Sequence, residues 1–163
     1  MEMIKHNIIN RMFNTLIILF FATPFLFILY GQLQQQMIGI DIREILEVNP
    51  YLNVVFITSF VTPFIGFYML HLKQELEKDL SREVVLIHLL AITISFLIMG
   101  NFTFGLFVSI LIYFMYLEWK AGVKAIYRHF KAKAFNIKDW LAPISVLVIA
   151  VIIRSMLLLV SNS

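Results

Sequence analysis

Residues 84–117 read VVLIHLLAITISFLIMGNFTFGLFVSILIYFMYL, with no Asp, Glu, Lys or Arg anywhere in the run. As one straight helix this stretch would extend about 50 Å at 1.5 Å per residue, far beyond the roughly 30 Å of hydrocarbon in a bilayer. Gly100-Asn101 stands at its centre, and Gly-Asn is a turn signal. The reading is two short helices closed by a tight turn, about 82–99 and 102–119, extended by Ser81–Glu83 on one side and Glu118–Trp119 on the other. A re-entrant hairpin that dips and returns is the minority alternative.

Outward from this pair lie three more apolar stretches, Met12–Tyr30, Leu52–Leu72 and Trp140–Val160. Each approaches the roughly 20 residues that a crossing requires, and they predict helices over about 13–30, 52–72 and 140–160. The whole chain is 61% hydrophobic and 14% charged over 163 residues, with a mean hydropathy of +0.88. Soluble domains are about 45–50% apolar and about 25% charged. Water is therefore not the solvent. The apolar residues leave no stretch for a separate soluble domain, so the expectation is one all-α domain over 1–163, a polytopic bundle of five transmembrane helices. Lys5 and Arg11 before the first run resemble a secretory signal. That run exceeds an apolar signal region of about 7–15 residues, and no small-residue cleavage site follows it, so it reads as a retained first helix.

Charge placement orients the bundle. Five crossings put Lys5, Arg11, Lys73, Lys78, Arg82, Lys120, Lys124, Arg128, Lys131, Lys133 and Lys138 on one side, and only Arg43 on the other. Basic residues collect on the cytoplasmic side, which predicts a cytoplasmic N-terminus and an external C-terminus. A single crossing by 84–117 would carry six of those residues outside. The external loop Gly31–Pro50 holds Asp41, Glu44 and Glu47 among isoleucines, a pattern for a short interfacial helix. Asn49-Pro50-Tyr51 marks the start of the next helix, with Tyr51 at the headgroups.

Four groups of residues are candidates for function. Trp119, Val123, Ile126, Tyr127, Phe130 and Ala134 recur at helical spacing, while Lys120, Lys124, Arg128, Lys131 and Lys133 point mainly elsewhere. This predicts a basic amphipathic helix over about 119–135 that, with Lys138, grips anionic headgroups or docks an acidic partner. Its plainer role is to anchor the cytoplasmic face. Arg154 lies fourteen residues after Trp140, about 21 Å along its helix. A cation in mid-membrane costs about 2.5–3.5 kcal/mol on insertion scales. Asp41, Glu44 and Glu47 are its candidate ion-pair partners, and snorkelling to the headgroups is the alternative. Pro24 and Pro63 fall mid-helix as candidate kinks, within an echo of Phe21-Ala22-Thr23-Pro24-Phe25 in Phe60-Val61-Thr62-Pro63-Phe64. Thr58, Thr62 and Gly66 form a small-residue packing stripe, with Gly105 and Ser109 as a second.

His6, His71, His88 and His129 all map toward the cytoplasmic side. A ligand pair made by His71 and His88, or a contact from His88 to Glu83, is conceivable, but no metal-ligand spacing supports it. The chain has no Cys, which removes disulfides, thiolate metal sites and a Cys nucleophile. It carries no hydrolase, metalloprotease, phosphate-loop or dinucleotide motif, and the carboxylates Glu75, Glu77, Asp79 and Glu83 alternate with Lys73, Lys78 and Arg82 as a solvated linker would. The expectation is a non-enzymatic protein without metal, cofactor or nucleic acid, in a plasma membrane of bacterial type. It would act as an accessory, regulatory or immunity-type subunit that binds another membrane protein or itself. The alternative is a small oligomeric transporter or channel hinged at Pro24 and Pro63 with Arg154 on its pathway.

Overall fold

The computed structural model describes residues 2–39, 41–77, 82–119 and 137–161, and every element among them is a helix. In chain order these are α1 (Glu2–Ile38), α2 (Ile42–Val48), α3 (Pro50–Glu77), α4 (Arg82–Met99), α5 (Phe102–Trp119) and α6 (Ile137–Ser161). All except the seven-residue α2 contain a window long and apolar enough to cross a membrane, which marks a multi-pass membrane protein.

The turn at the centre of 84–117 follows from two adjacent residues. Gly100 adopts φ +82°, a left-handed conformation that costs a side chain-bearing residue about 1–2 kcal/mol. Its N–H bonds to the Leu97 carbonyl at 3.1 Å, and the Asn101 N–H reaches back to Phe96 at 2.9 Å. This pair of bonds closes the end of α4 as a Schellman motif. Asn101 then starts α5, its Oδ1 accepting from the Phe104 N–H at 3.3 Å, as a helix N-cap does. Gly100→Ala is expected to lower stability in detergent by about 1–2 kcal/mol, with the loss read from the thermal midpoint.

The ends of α4 and α5 coincide with the sequence reading, but α1 does not stop at Tyr30. It runs on through Gly31–Ile38, so the loop expected over Gly31–Pro50 is shorter and holds its own helix, α2. Hydropathy falls where the hydrocarbon ends, not where hydrogen bonding ends. Gln, Leu and Met continue a helix readily, and the stop comes at Gly39, φ +73°, whose N–H bonds to Gln35 at 3.0 Å. Asp41 caps α2 by accepting from the Arg43 N–H at 2.9 Å. The chain then folds back so that Ile42 occupies the space a side chain on Gly31 would need. The other long helices also overrun their apolar windows, α3 to Pro50–Glu77 and α6 to Ile137–Ser161.

Helix α4 is the hub. Of its membrane window 61% is buried, against 17% for α6 and 22% for α5. It packs against α3, α5 and α6, while α1 lies along α3 and reaches α5. Phe20 of α1, Phe96 of α4 and Phe104 of α5 meet as three rings with centroids 5.4–5.6 Å apart, and Phe20 and Phe96 are fully buried. Such ring pairs add about 0.5–1.5 kcal/mol beyond the area they bury. At the ends of α4 and α5 remote from Gly100, the Arg82 guanidinium lies over the Trp119 ring, 5.2 Å from its centroid. This cation–π contact ties the first turn of α4 to the last turn of α5.

Candidate functional site

Polar side chains inside an apolar bundle must be paired, because hydrocarbon offers no water to replace a missing partner. Three such pairings, with a fourth on the exposed surface, run down α3 and fasten it to its neighbours. Thr58 Oγ1 accepts from Asn101 Nδ2 at 3.0 Å and donates to the Val54 carbonyl at 2.8 Å. Thr62 Oγ1 donates across to the Phe20 carbonyl of α1 at 3.0 Å. The Tyr68 hydroxyl bonds to His88 Nδ1 of α4. Lys73 Nζ donates to Asn14 Oδ1 of α1 at 2.9 Å and lies 3.6 Å from Glu77. From Thr58 to Lys73 the ladder spans about 22 Å of helix.

Thr62 holds the most demanding position. Proline has no N–H, so Pro24 cannot donate to the Phe20 carbonyl four residues back, nor Pro63 to the Ser59 carbonyl. Thr62 Oγ1 lies 3.0 Å from the first of these oxygens and 2.8 Å from the second. One fully buried hydroxyl therefore faces the two carbonyls that the two mid-helix prolines leave without a backbone donor. Its counterpart in the echo behaves differently. The Thr23 hydroxyl bonds to Leu19 at 2.7 Å, a carbonyl that the Thr23 N–H of the same turn already serves. The shared motif thus gives a bridge between helices in α3 and a local bond in α1. A third proline, Pro143, lies inside α6 and outside the echo.

The packing stripe places its three members at helix contacts. Thr58 and Thr62 are buried as described, and a Cβ on Gly66 would stand 3.3 Å from the Phe21 ring and 3.4 Å from Phe20 Cβ. Gly66 thus lets α1 approach closely. Gly105 is buried against Leu97 and Phe96, and the Ser109 hydroxyl donates to Gly105 at 2.8 Å.

His88 is 7% exposed. Neither Glu83 nor His71 is the partner found for its Nδ1, which faces Tyr68 with ring centroids 5.7 Å apart. His71 is exposed. Among the described residues no three His, Asp or Glu side chains converge on a point that could hold a metal. Tyr68 and Asn14 carry no signal in the sequence, and Gly100-Asn101 marks Asn101 only as a turn residue.

Arg154 is exposed on α6, and among the described residues no ion pair joins it to Asp41, Glu44 or Glu47, which are exposed as well. Its guanidinium instead lies against the α4–α5 turn, Nη1 standing 3.6 Å from the position of a Cβ on Gly100. The cation thereby sits at the C-terminal end of α4, where the last carbonyls carry partial negative charge. Arg154→Leu is expected to lower stability by less than about 1 kcal/mol. A loss of several kcal/mol in a detergent melt would instead point to an acidic partner.

Trp119 closes α5, and Lys138 lies in the first turn of α6. Lys120, Lys124, Arg128, Lys131 and Lys133, with the rest of the expected amphipathic helix, fall outside the described residues, as does His129. No family model, curated protein or solved structure matches the chain.

Proposed function

We propose that this chain is a non-enzymatic membrane protein that works by binding, as an accessory, regulatory or immunity-type subunit for another membrane component. In this reading the N-terminus and the basic end of the bundle lie in the cytoplasm, the α4–α5 pair spans as a hairpin, and the C-terminus lies outside. The observation that carries the proposal is the condition of α6. It packs chiefly against α4 and leaves Ile144, Val148, Ile152 and Leu159 exposed along one face, while Arg154 on its flank lies against the α4–α5 turn. A helix held by one neighbour, with a long apolar face uncovered and Arg154 exposed at the edge of that face, suits a second protein arriving there. Of the interior polar groups, Thr58, Thr62, His88 and Asn101 fasten α3 to its neighbours, while Ser59, Thr93 and Ser95 bond to carbonyls of their own helices.

Native-membrane purification of the tagged chain, with a photo-crosslinker at Ser155, tests this. One stoichiometric partner, lost in Arg154→Leu, is the expected result, and a second copy of the chain counts as that partner. Recovery of the chain alone overturns the reading. The small oligomeric transporter or channel remains the second reading because of the Pro24, Pro63 and Thr62 junction. Ion or solute flux in proteoliposomes that disappears in Arg154→Leu would favour it.

A further inference from the structure

A hollow of about 340 Å³ opens between α1 and α5, walled by Ile8, Met12, Leu16 and Leu19 on one side and Phe107 and Ile110 on the other. From Ile8 to Leu19 it covers about 16 Å of helix, the depth of one leaflet of a roughly 30 Å hydrocarbon core. The wall is apolar except for Thr15 at mid-height and, near one end, Arg11, exposed on α1. A second hollow of about 190 Å³ continues from there. It shares Ile8 and ends at Phe114, Leu117 and Glu118 on α5. Among the described residues no ion pair joins Arg11 to Glu118. A slot one leaflet deep therefore has Arg11 near its end on one helix and Glu118 near its end on the other.

We infer that this slot is a binding site for a zwitterionic aminophospholipid of the leaflet at the basic end of the bundle. An acyl chain lies along Leu19, Leu16 and Met12, the phosphate meets Arg11, and the headgroup ammonium meets Glu118. Arginine matches phosphate oxygens with two parallel donors, and apolar side chains beside a basic residue at the membrane surface are the ordinary setting for headgroup recognition. Arg11 alone would accept any phospholipid. Glu118 supplies the discrimination, because a carboxylate repels a headgroup with net negative charge and attracts an ammonium. The site depends on the chain lying in a bilayer and is independent of the partner proposed for α6.

The test uses the full-length chain in a non-ionic detergent, incubated with equimolar phosphatidylethanolamine and phosphatidylglycerol of matched acyl chains. Bound lipid is counted by native mass spectrometry. The wild-type chain is expected to retain phosphatidylethanolamine over phosphatidylglycerol by about fivefold, the upper range for an exposed charge pair. Glu118→Gln should bring the ratio to about one, and Arg11→Gln should reduce retention of both lipids, with thermal midpoints confirming that both variants fold. Ile110→Trp, which fills the slot without altering charge, should also reduce both. A wild-type ratio of one or below, or a preference that survives Glu118→Gln, overturns the inference. So does a dimer that retains neither lipid, which would place a second copy in the slot.

Discussion

Thr62→Val should destabilise the solubilised protein by about 2 kcal/mol, whereas Thr23→Val, the same change in the matching motif, should cost less than about 0.5 kcal/mol. Val preserves the β-branched shape of Thr and deletes only the hydroxyl. At position 62 that hydroxyl is the donor facing Phe20 and Ser59, both left without a backbone donor by Pro24 and Pro63. One hydrogen bond inside a membrane contributes about 0.6 kcal/mol on average and up to about 1.7 kcal/mol. Two bare carbonyls in a buried position carry the cost to that ceiling or past it. At position 23 the acceptor is Leu19, which keeps its backbone partner when the hydroxyl is gone.

The mechanism, and not merely the magnitude, is open to test through Pro24→Ala. Alanine restores an N–H four residues beyond Phe20, so its carbonyl no longer depends on α3. Thr62→Val made in that background should cost about 1 kcal/mol less than in the native chain, a coupling that a double-mutant cycle reads directly. Equal costs at 23 and 62, or costs that add without coupling to Pro24, would show that the hydroxyl is not bridging the two proline-broken turns. Among the described residues α1 and α3 share the most extensive packed interface, and the Thr62 bond lies within it.

The second large effect is expected at Asn101, which is 3% exposed and does three things in one position. Its N–H ends α4 on Phe96, its Oδ1 starts α5 on Phe104, and its Nδ2 reaches Thr58 on α3. Asn101→Ala keeps the first and removes the other two. Loss of an N-cap costs about 1 kcal/mol and loss of a membrane-buried side-chain bond about 0.6 kcal/mol or more, so a total near 2 kcal/mol is expected from thermal or denaturant unfolding in detergent. Asn101→Ser retains a capping oxygen and should lose about half as much. If serine and alanine prove equally damaging, the cap is not the source of the loss.

These two residues also show where sequence reading succeeds and stops. Gly100-Asn101 announced a turn through its backbone preference alone, a local property, and the boundaries of α4 and α5 followed. What Asn101 touches on α3 is a consequence of packing, and no spacing within 84–117 encodes it. Thr62 and Pro63 were visible as an echo of Thr23 and Pro24, yet similarity of sequence did not imply similarity of bonding, because only Thr62 faces a neighbouring proline-broken turn. For α1 the error had a physical source. Apolar content reports where hydrocarbon would lie, while the helix itself persists through Gln32–Gln36 until Gly39 breaks it. His88 was recognised as the one histidine inside the apolar run, but its Tyr68 partner lies twenty residues away on another helix and belongs to tertiary structure.

The most direct test of the proposed five-crossing, basic-end-inside arrangement exploits a chain without cysteine. Single cysteines at the exposed positions Glu47 in α2, Gln74 near the end of α3 and Thr103 at the start of α5 can be challenged in intact cells with a membrane-impermeant maleimide. Glu47→Cys and Thr103→Cys should label from outside, and Gln74→Cys only after the membrane is permeabilised. Labelling of Gln74→Cys in intact cells, or protection of Glu47→Cys, would contradict the orientation, and protection of Thr103→Cys alone would contradict a hairpin that spans.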